Sequence, residues 1–256
     1  MIKIFRQIRY NLMSENKTGR YFKYAIGEII LVVIGILIAL GINNWNEKRQ
    51  NRNEEKITLT KLEKDLTADF SQFNYYKQTF RQIDQLHIEL YRLVQGQLPA
   101  DSISEPVLIR RSLYFTQLVD SDFKKDIPAI NNKKIDEALT KYTRRVKDME
   151  VLYSIQLESM INNRLKPLLY ESEVYNPKSW FSLEKKGFSK DLTYTSINGK
   201  NIVDKERFIA LAKTNKFQQL LFELNAKWHE FNDRLDQVIE ANENFKDLIT
   251  SELKNY

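Results

Sequence analysis

Residues 25–42 read AIGEIILVVIGILIALGI: 18 residues, 12 of them Ile, Leu or Val, with Glu28 as the one charge. At about 1.5 Å per residue a helix of this length spans roughly 27 Å, close to the ~30 Å hydrocarbon core of a bilayer. No other stretch of the 256 residues approaches it. It predicts a single transmembrane helix over 24–44. The rest of the chain then falls into a basic amphipathic segment at 1–23 and an extramembrane helical bundle domain at 45–256.

The flanks fit a membrane. In MIKIFRQIRYNLM (1–13), Ile4, Phe5, Ile8 and Leu12 recur at helical spacing, with Lys3, Arg6 and Arg9 mostly opposite. That pattern suits a short helix lying on an anionic leaflet, and a solvated basic flank is the alternative. Arg20, Tyr21, Lys23 and Tyr24 make an aromatic and basic collar at one interface, and Trp45 marks the other. Lys and Arg before the span (six) slightly outnumber those just after it (Lys48, Arg49, Arg52, Lys56, Lys61). The bias favours an N-terminus inside a bacterial inner membrane and a periplasmic C-terminal domain. A cleaved signal peptide competes, since Ala39 and Gly41 are small at the right spacing. The basic region and the apolar run are both longer than such a signal carries.

Within the span, Gly27, Gly35 and Ala39 line up at i, i+8 and i+12, with Glu28 beside them. Small residues let helices approach closely, and a carboxylate in hydrocarbon is costly unless it is paired. One reading is an intramembrane helix contact in a homo-oligomer or with a partner membrane protein. The other is an acid anchored near the interface that snorkels toward Lys23 or Arg20.

SENKTGRYFKYAIGEIILVVIGILIALGINNWNE resembles the N-terminal signature of an uncharacterised bacterial family of single-span proteins, a domain of unknown function. The residues that carry the resemblance are Glu15, Asn16, Lys17, Tyr21, Tyr24 to Glu28, the Ile/Leu/Val run with Gly35, and Asn43 to Asn46. Gly41 stands where that family usually carries a polar residue such as Gln. The resemblance implies topology and architecture and brings no activity.

Beyond the span, Gly (7) and Pro (5) are scarce and Cys is absent, which favours long helices and excludes disulfides, thiolate metal sites and Cys nucleophiles. Residues 1–43 carry six basic and two acidic side chains; the other 213 carry 34 and 32. The large domain is therefore nearly neutral and lacks the basic face of a nucleic-acid binder.

Leu59, Leu62, Leu66, Phe70, Phe73, Phe80, Ile83, Leu90 and Val94 step by threes and fours, with Tyr76/Lys77 and Leu86/His87 filling gaps. This predicts a helix from Trp45 to Gln95, stopped by Gly96 and Pro99. A shorter helix is expected over 107–119, after Ser104 and Pro106. Another follows over 133–170 on Ile135, Leu139, Tyr142, Val146, Met149, Tyr153 and Met160, with Gln156 as the polar exception and Pro167 as a kink or stop. Residues 171–204 lose the period, and 192–203 reads either as a small β-hairpin or as part of a long loop. There Trp180, Phe181 and Phe188 would tuck the loop onto the bundle. The C-terminal helix is the most regular: Phe217, Leu221, Leu224, Trp228, Phe231, Leu235, Val238, Asn242, Phe245 and Ile249 alternate steps of four and three. Asn242 is its polar register residue. The fold class is all-α: a transmembrane helix continuing into a long helix of an antiparallel bundle of about four helices.

Catalytic constellations are few. Asp84-x-x-His87 faintly echoes the acid-x-x-His pairs of di-iron bundles, but the residue three before His229 is Ala226, so the second copy is missing. No phosphate loop, nucleophile elbow or zinc-protease motif occurs. No enzyme activity, catalytic residue, metal or cofactor is expected. The leading expectation is a membrane-anchored interaction or scaffold protein. A ligand-sensing or regulatory module signalling through a partner is the alternative, and an ion-coupled subunit using Glu28 comes third.

Overall fold

The computed structural model describes residues 10, 18–103, 105–120, 122–123, 130, 132–178 and 202–256, the side chains of 18–24 excepted. The amphipathic segment at 1–13 except Tyr10, the residues Trp180, Phe181 and Phe188, and most of the 192–203 stretch lie outside the described residues. The fold is all-α. Its helices are α1 (Thr18–Val94), α2 (Lys133–Leu152), α3 (Lys166–Glu171), α4 (Lys205–Ala212) and α5 (Asn215–Leu253). Two compact units divide the chain, Met1–Ile57 and Thr58–Tyr256.

In the second unit α1, α2 with its continuation, and α5 are the long members of the bundle, and α4 is the short fourth. The α5 seam is buried at all ten positions from Phe217 to Ile249 that the sequence pattern names. Polar contacts fix its antiparallel register on α1. Glu63 meets Thr250, Leu66 meets Asn242, Lys77 pairs with Asp236 and Asp84 meets His229, one number rising as the other falls. Tyr142 with Asn242 and Tyr153 with Trp228 set α2 antiparallel to α5 in the same way. At the centre an aromatic group packs mostly edge to face: Tyr76 on Phe115 (5.1 Å), Phe115 on Tyr153 (5.0 Å) and Tyr153 on Phe231 (5.5 Å). Each such pair adds about 1 kcal/mol beyond its buried area.

The helix ends follow local chemistry. Gly96, at φ +70°, closes α1 with the Gly96 N–H on the Leu93 carbonyl and the Gln97 N–H on the Arg92 carbonyl. This is the left-handed cap that glycine serves best. Asn132 caps α2 by accepting the Lys134 N–H at 3.0 Å, Asp204 caps α4, and Thr214 caps α5.

Two elements differ from expectation. Over 107–119 there is no α-helix: a 3-10 turn at Pro106–Arg110 gives way to extended chain. Leu113 and Val119 are buried and Tyr114, Thr116 and Leu118 exposed, a period near two. The N–H groups that a helix would use internally go elsewhere. Leu113 donates to the Tyr153 hydroxyl at 2.6 Å, and Leu118 and Val119 donate to the Asp69 carboxylate at 2.7 and 3.0 Å. The second difference is inside the helix expected over 133–170, which runs through Pro167 to Glu171 as the pattern requires but is not regular α-helix throughout. Turns of π-helix at Tyr153–Glu158 and Ile161–Leu165 carry α2 through into α3. They widen the helix ahead of the point where the proline ring would meet the carbonyl of Asn163. They also shift the inward stripe to Leu157, Ile161 and Leu165, leaving Met160 only partly buried.

α3 ends on a left-handed cap at Glu173 (φ 52°), whose carboxylate binds Arg207 at 2.8 Å. The chain then leaves for the insertion and returns beside itself. The Asn176 N–H reaches the Ile202 carbonyl and the Asp204 N–H reaches the Val174 carbonyl, both at 2.7 Å, around the bridge Tyr175–Val203.

Candidate functional site

The first candidate lies in the first unit. By length and composition α1 holds one window apolar enough to cross a membrane, and none of that window is buried. At 3.6 residues per turn, Gly27, Gly35 and Ala39 fall within an arc of about 120°, with Glu28 inside it. A Cβ added at Gly27 or Gly35 would meet nothing within 4 Å. Gly35 and Ala39 are exposed, and Gly27 and Glu28 are half-buried. The small face is therefore open to an approaching helix. Trp45 is also exposed, with the Arg49 guanidinium 5.2 Å from the centre of its ring. Arg20, Tyr21, Lys23 and Tyr24 sit in the helical backbone of α1, and their side chains lie outside the described residues.

The second candidate is in the bundle, where sequence spacing shows two unrelated histidines. The fold brings them to one carboxylate. His229 Nε2 stands 3.0 Å from Asp84 Oδ1, and Asn225 Nδ2 stands 2.9 Å from the same oxygen and 3.2 Å from His87 Nδ1. The His229 ring lies edge-on to Phe80 at 5.2 Å. His87 is 3% exposed, and burial lowers its pKa to about 4; the Asp84 charge opposes that shift and His229 adds to it. Asn225 is what the sequence reading missed. It is four residues before His229, on the same face of α5, one position beyond the Ala226 that argued against a paired site. Among the described residues no three His, Cys, Asp or Glu side chains are placed to hold a metal ion.

A third polar group sits in the core. Asp69 is 1% exposed, accepts its two backbone N–H groups, and takes a hydrogen bond from the Tyr142 hydroxyl. Asn242 donates to that hydroxyl at 3.0 Å and to the Leu66 carbonyl at 3.1 Å. Burial raises the Asp69 pKa, the backbone N–H groups oppose this, and Asp65 and Asp120 add to it. Burial likewise drives the Tyr142 hydroxyl well above its ordinary range, with Asp69 contributing. These groups join α1, α2, α5 and the extended segment, and Asp69 has no solvent face on which to meet a substrate. They hold the fold together.

Residues 28–91 match the family of unknown function DUF6090. No curated protein and no solved structure matches the chain. The DUF6090 stretch lies wholly within α1. It takes in Glu28, Gly35, Ala39 and Trp45, and also Asp69, Asp84 and His87. Asn225 and His229, which meet Asp84 and His87, and Leu118 and Val119, which meet Asp69, lie outside it. The description carries no chemistry, so function has to be argued from the sites themselves.

Proposed function

We propose that this protein is a non-enzymatic, single-span membrane anchor that presents a helical interaction domain. Its N-terminus would be in the bacterial cytoplasm and its bundle in the periplasm. The face of Gly27, Glu28, Gly35 and Ala39 would dock a second copy or the span of a partner membrane protein, with the lipid bilayer covering the rest and no nucleic acid involved. One observation carries the reading: the apolar window of α1 is bare, while the bundle has a complete core of its own. An 18-residue apolar surface left uncovered in water would be a strong aggregation liability, and a bilayer removes it. Small residues on one side of the helix then allow the close backbone approach that drives association in lipid.

Crosslinking and pull-down from native membranes test this, comparing the unmodified chain with Glu28→Gln and Gly35→Leu. Gly35→Leu should reduce the crosslinked complex at least several-fold while the protein stays in the membrane fraction. If neither substitution alters any membrane complex, the docking face is wrong. If the chain is recovered in the soluble fraction, the anchor is wrong.

A further inference from the structure

Asn225 offers one nitrogen to two acceptors, Asp84 Oδ1 at 2.9 Å and His87 Nδ1 at 3.2 Å. An ionised carboxylate has only lone pairs to give, so Asn225 turns its NH₂ group, not its oxygen, toward Asp84. The second hydrogen of that NH₂ then points at His87 Nδ1, which has to be an acceptor. His87 is thereby fixed as the neutral imidazole with its proton on Nε2. His229 Nε2 also donates to Asp84, so one carboxylate oxygen collects a hydrogen from each of two α5 side chains.

We propose that Asp84, His87, Asn225 and His229 form a proton-operated clasp between the end of α1 and the start of α5. A proton arriving at His87 can bind only at Nδ1, and there it converts the acceptor into a donor that faces the Asn225 NH₂. Turning the Asn225 amide would satisfy His87 but would aim the amide oxygen at the Asp84 carboxylate. Either arrangement loses one of the two bonds. A proton on His229 is different, because it goes to Nδ1 and leaves the Nε2–H contact with Asp84 in place. The ionisable groups that act on His87 are Asp84 from its own helix and His229 from α5. Nearer the other end of this helix pair, Lys77 with Asp236 and Glu63 with Thr250 remain to hold α1 on α5.

Opening returns His87 to its ordinary pKa of 6.5 from about 4. The local opening equilibrium should therefore rise about thirtyfold between pH 7.5 and pH 5. The test is hydrogen–deuterium exchange on the full chain in detergent micelles, with protection corrected for the intrinsic pH dependence. Peptides covering 84–93 and 218–229 should lose protection by that factor, and at both pH values they should exchange faster than those covering 59–73 and 238–249, which open only with the whole bundle. His87→Asn keeps an acceptor where Nδ1 stood and does not titrate, so it should retain protection at pH 5. Nitrogen NMR of the imidazoles in the unmodified chain is independent of any variant folding, and should find the His87 proton on Nε2 at pH 7.5. A proton on Nδ1, acid loosening that survives in His87→Asn, or clasp peptides that exchange no faster than the core at either pH would each overturn the clasp.

Discussion

The buried carboxylate of Asp69 accepts the backbone N–H of Leu118 at 2.7 Å, and with it the N–H of Val119 at 3.0 Å. Together with Tyr153, this side chain takes N–H groups that a helix over 111–119 would use internally. It offers two charge-assisted acceptors to a segment whose apolar residues also suit alternation. Asp69→Ala should cost about 2–4 kcal/mol, because it strands two N–H groups and the Tyr142 hydroxyl together. Urea unfolding of the full chain in micelles would measure this, and amide exchange would locate it. Leu118 and Val119 should exchange fast in the variant. If they stay protected, the segment is held by something other than Asp69.

At the other end of that segment, Tyr153 carries a similar duty. Its hydroxyl takes the Leu113 N–H at 2.6 Å while its ring packs on Phe115 and Phe231. Tyr153→Phe keeps the packing and removes the acceptor, so it should cost about 1–2 kcal/mol. Trp228→Ala, which empties a fully buried site against the same ring, should cost about 3–5 kcal/mol. A larger loss from Tyr153→Phe than from Trp228→Ala would mean that the hydrogen bond, and not the aromatic packing, dominates there.

The inward face of α1 explains which parts of this could be read in advance. Leu62, Leu66, Asp69, Phe73, Tyr76, Phe80, Ile83, His87 and Leu90 alternate four and three without a slip, and all are buried. Reading apolar residues alone put Phe70 in place of Asp69 and left His87 as a filler, because buried polar residues are invisible to a hydrophobic pattern. Keeping the strict spacing would have shown both. On α5 the pattern succeeded in full, since its one polar member, Asn242, already looked like a register residue. The strap at 111–119 rests on Tyr153, 40 residues from Leu113, and on Asp69, 49 residues from Leu118, and no local propensity carries that information. The π-turns hid similarly: strict alternation selects Gln156, but the widened helix buries Leu157 instead.

Acid should weaken the whole bundle through His87. Its folded pKa is lowered from 6.5 to about 4, so the unfolded chain binds the proton first. Stability is then intact above about pH 6.5, falls as pH drops toward 4, and levels off below it at a loss of about 3 kcal/mol. His87 is 3% exposed, so solvent screening does not reduce the effect. Unfolding free energies from urea titrations at pH 7.5 and pH 4 should differ by that amount more in the unmodified chain than in His87→Asn. Identical pH dependence in the two proteins would remove His87 as the cause.

Asn242 poses the opposite question, whether a buried polar residue stabilises at all. It is fully buried, and its amide hydrogens go to the Leu66 carbonyl and the Tyr142 hydroxyl while its Oδ1 has no partner. Replacing it by leucine removes that unsatisfied oxygen. The Tyr142 hydroxyl still has Asp69 to donate to, and the seam gains an apolar residue of similar size. Buried polar residues at seam positions commonly specify register at a cost in stability. Asn242→Leu should therefore raise the unfolding free energy by about 1–2 kcal/mol, or the Tm by roughly 2–8 °C for a domain of this size. Asn242→Ala should lower it by about 2 kcal/mol through the cavity it leaves. Calorimetry on the two variants separates the cases: a leucine variant that melts below the unmodified chain would show that the amide's two hydrogen bonds outweigh its stranded oxygen.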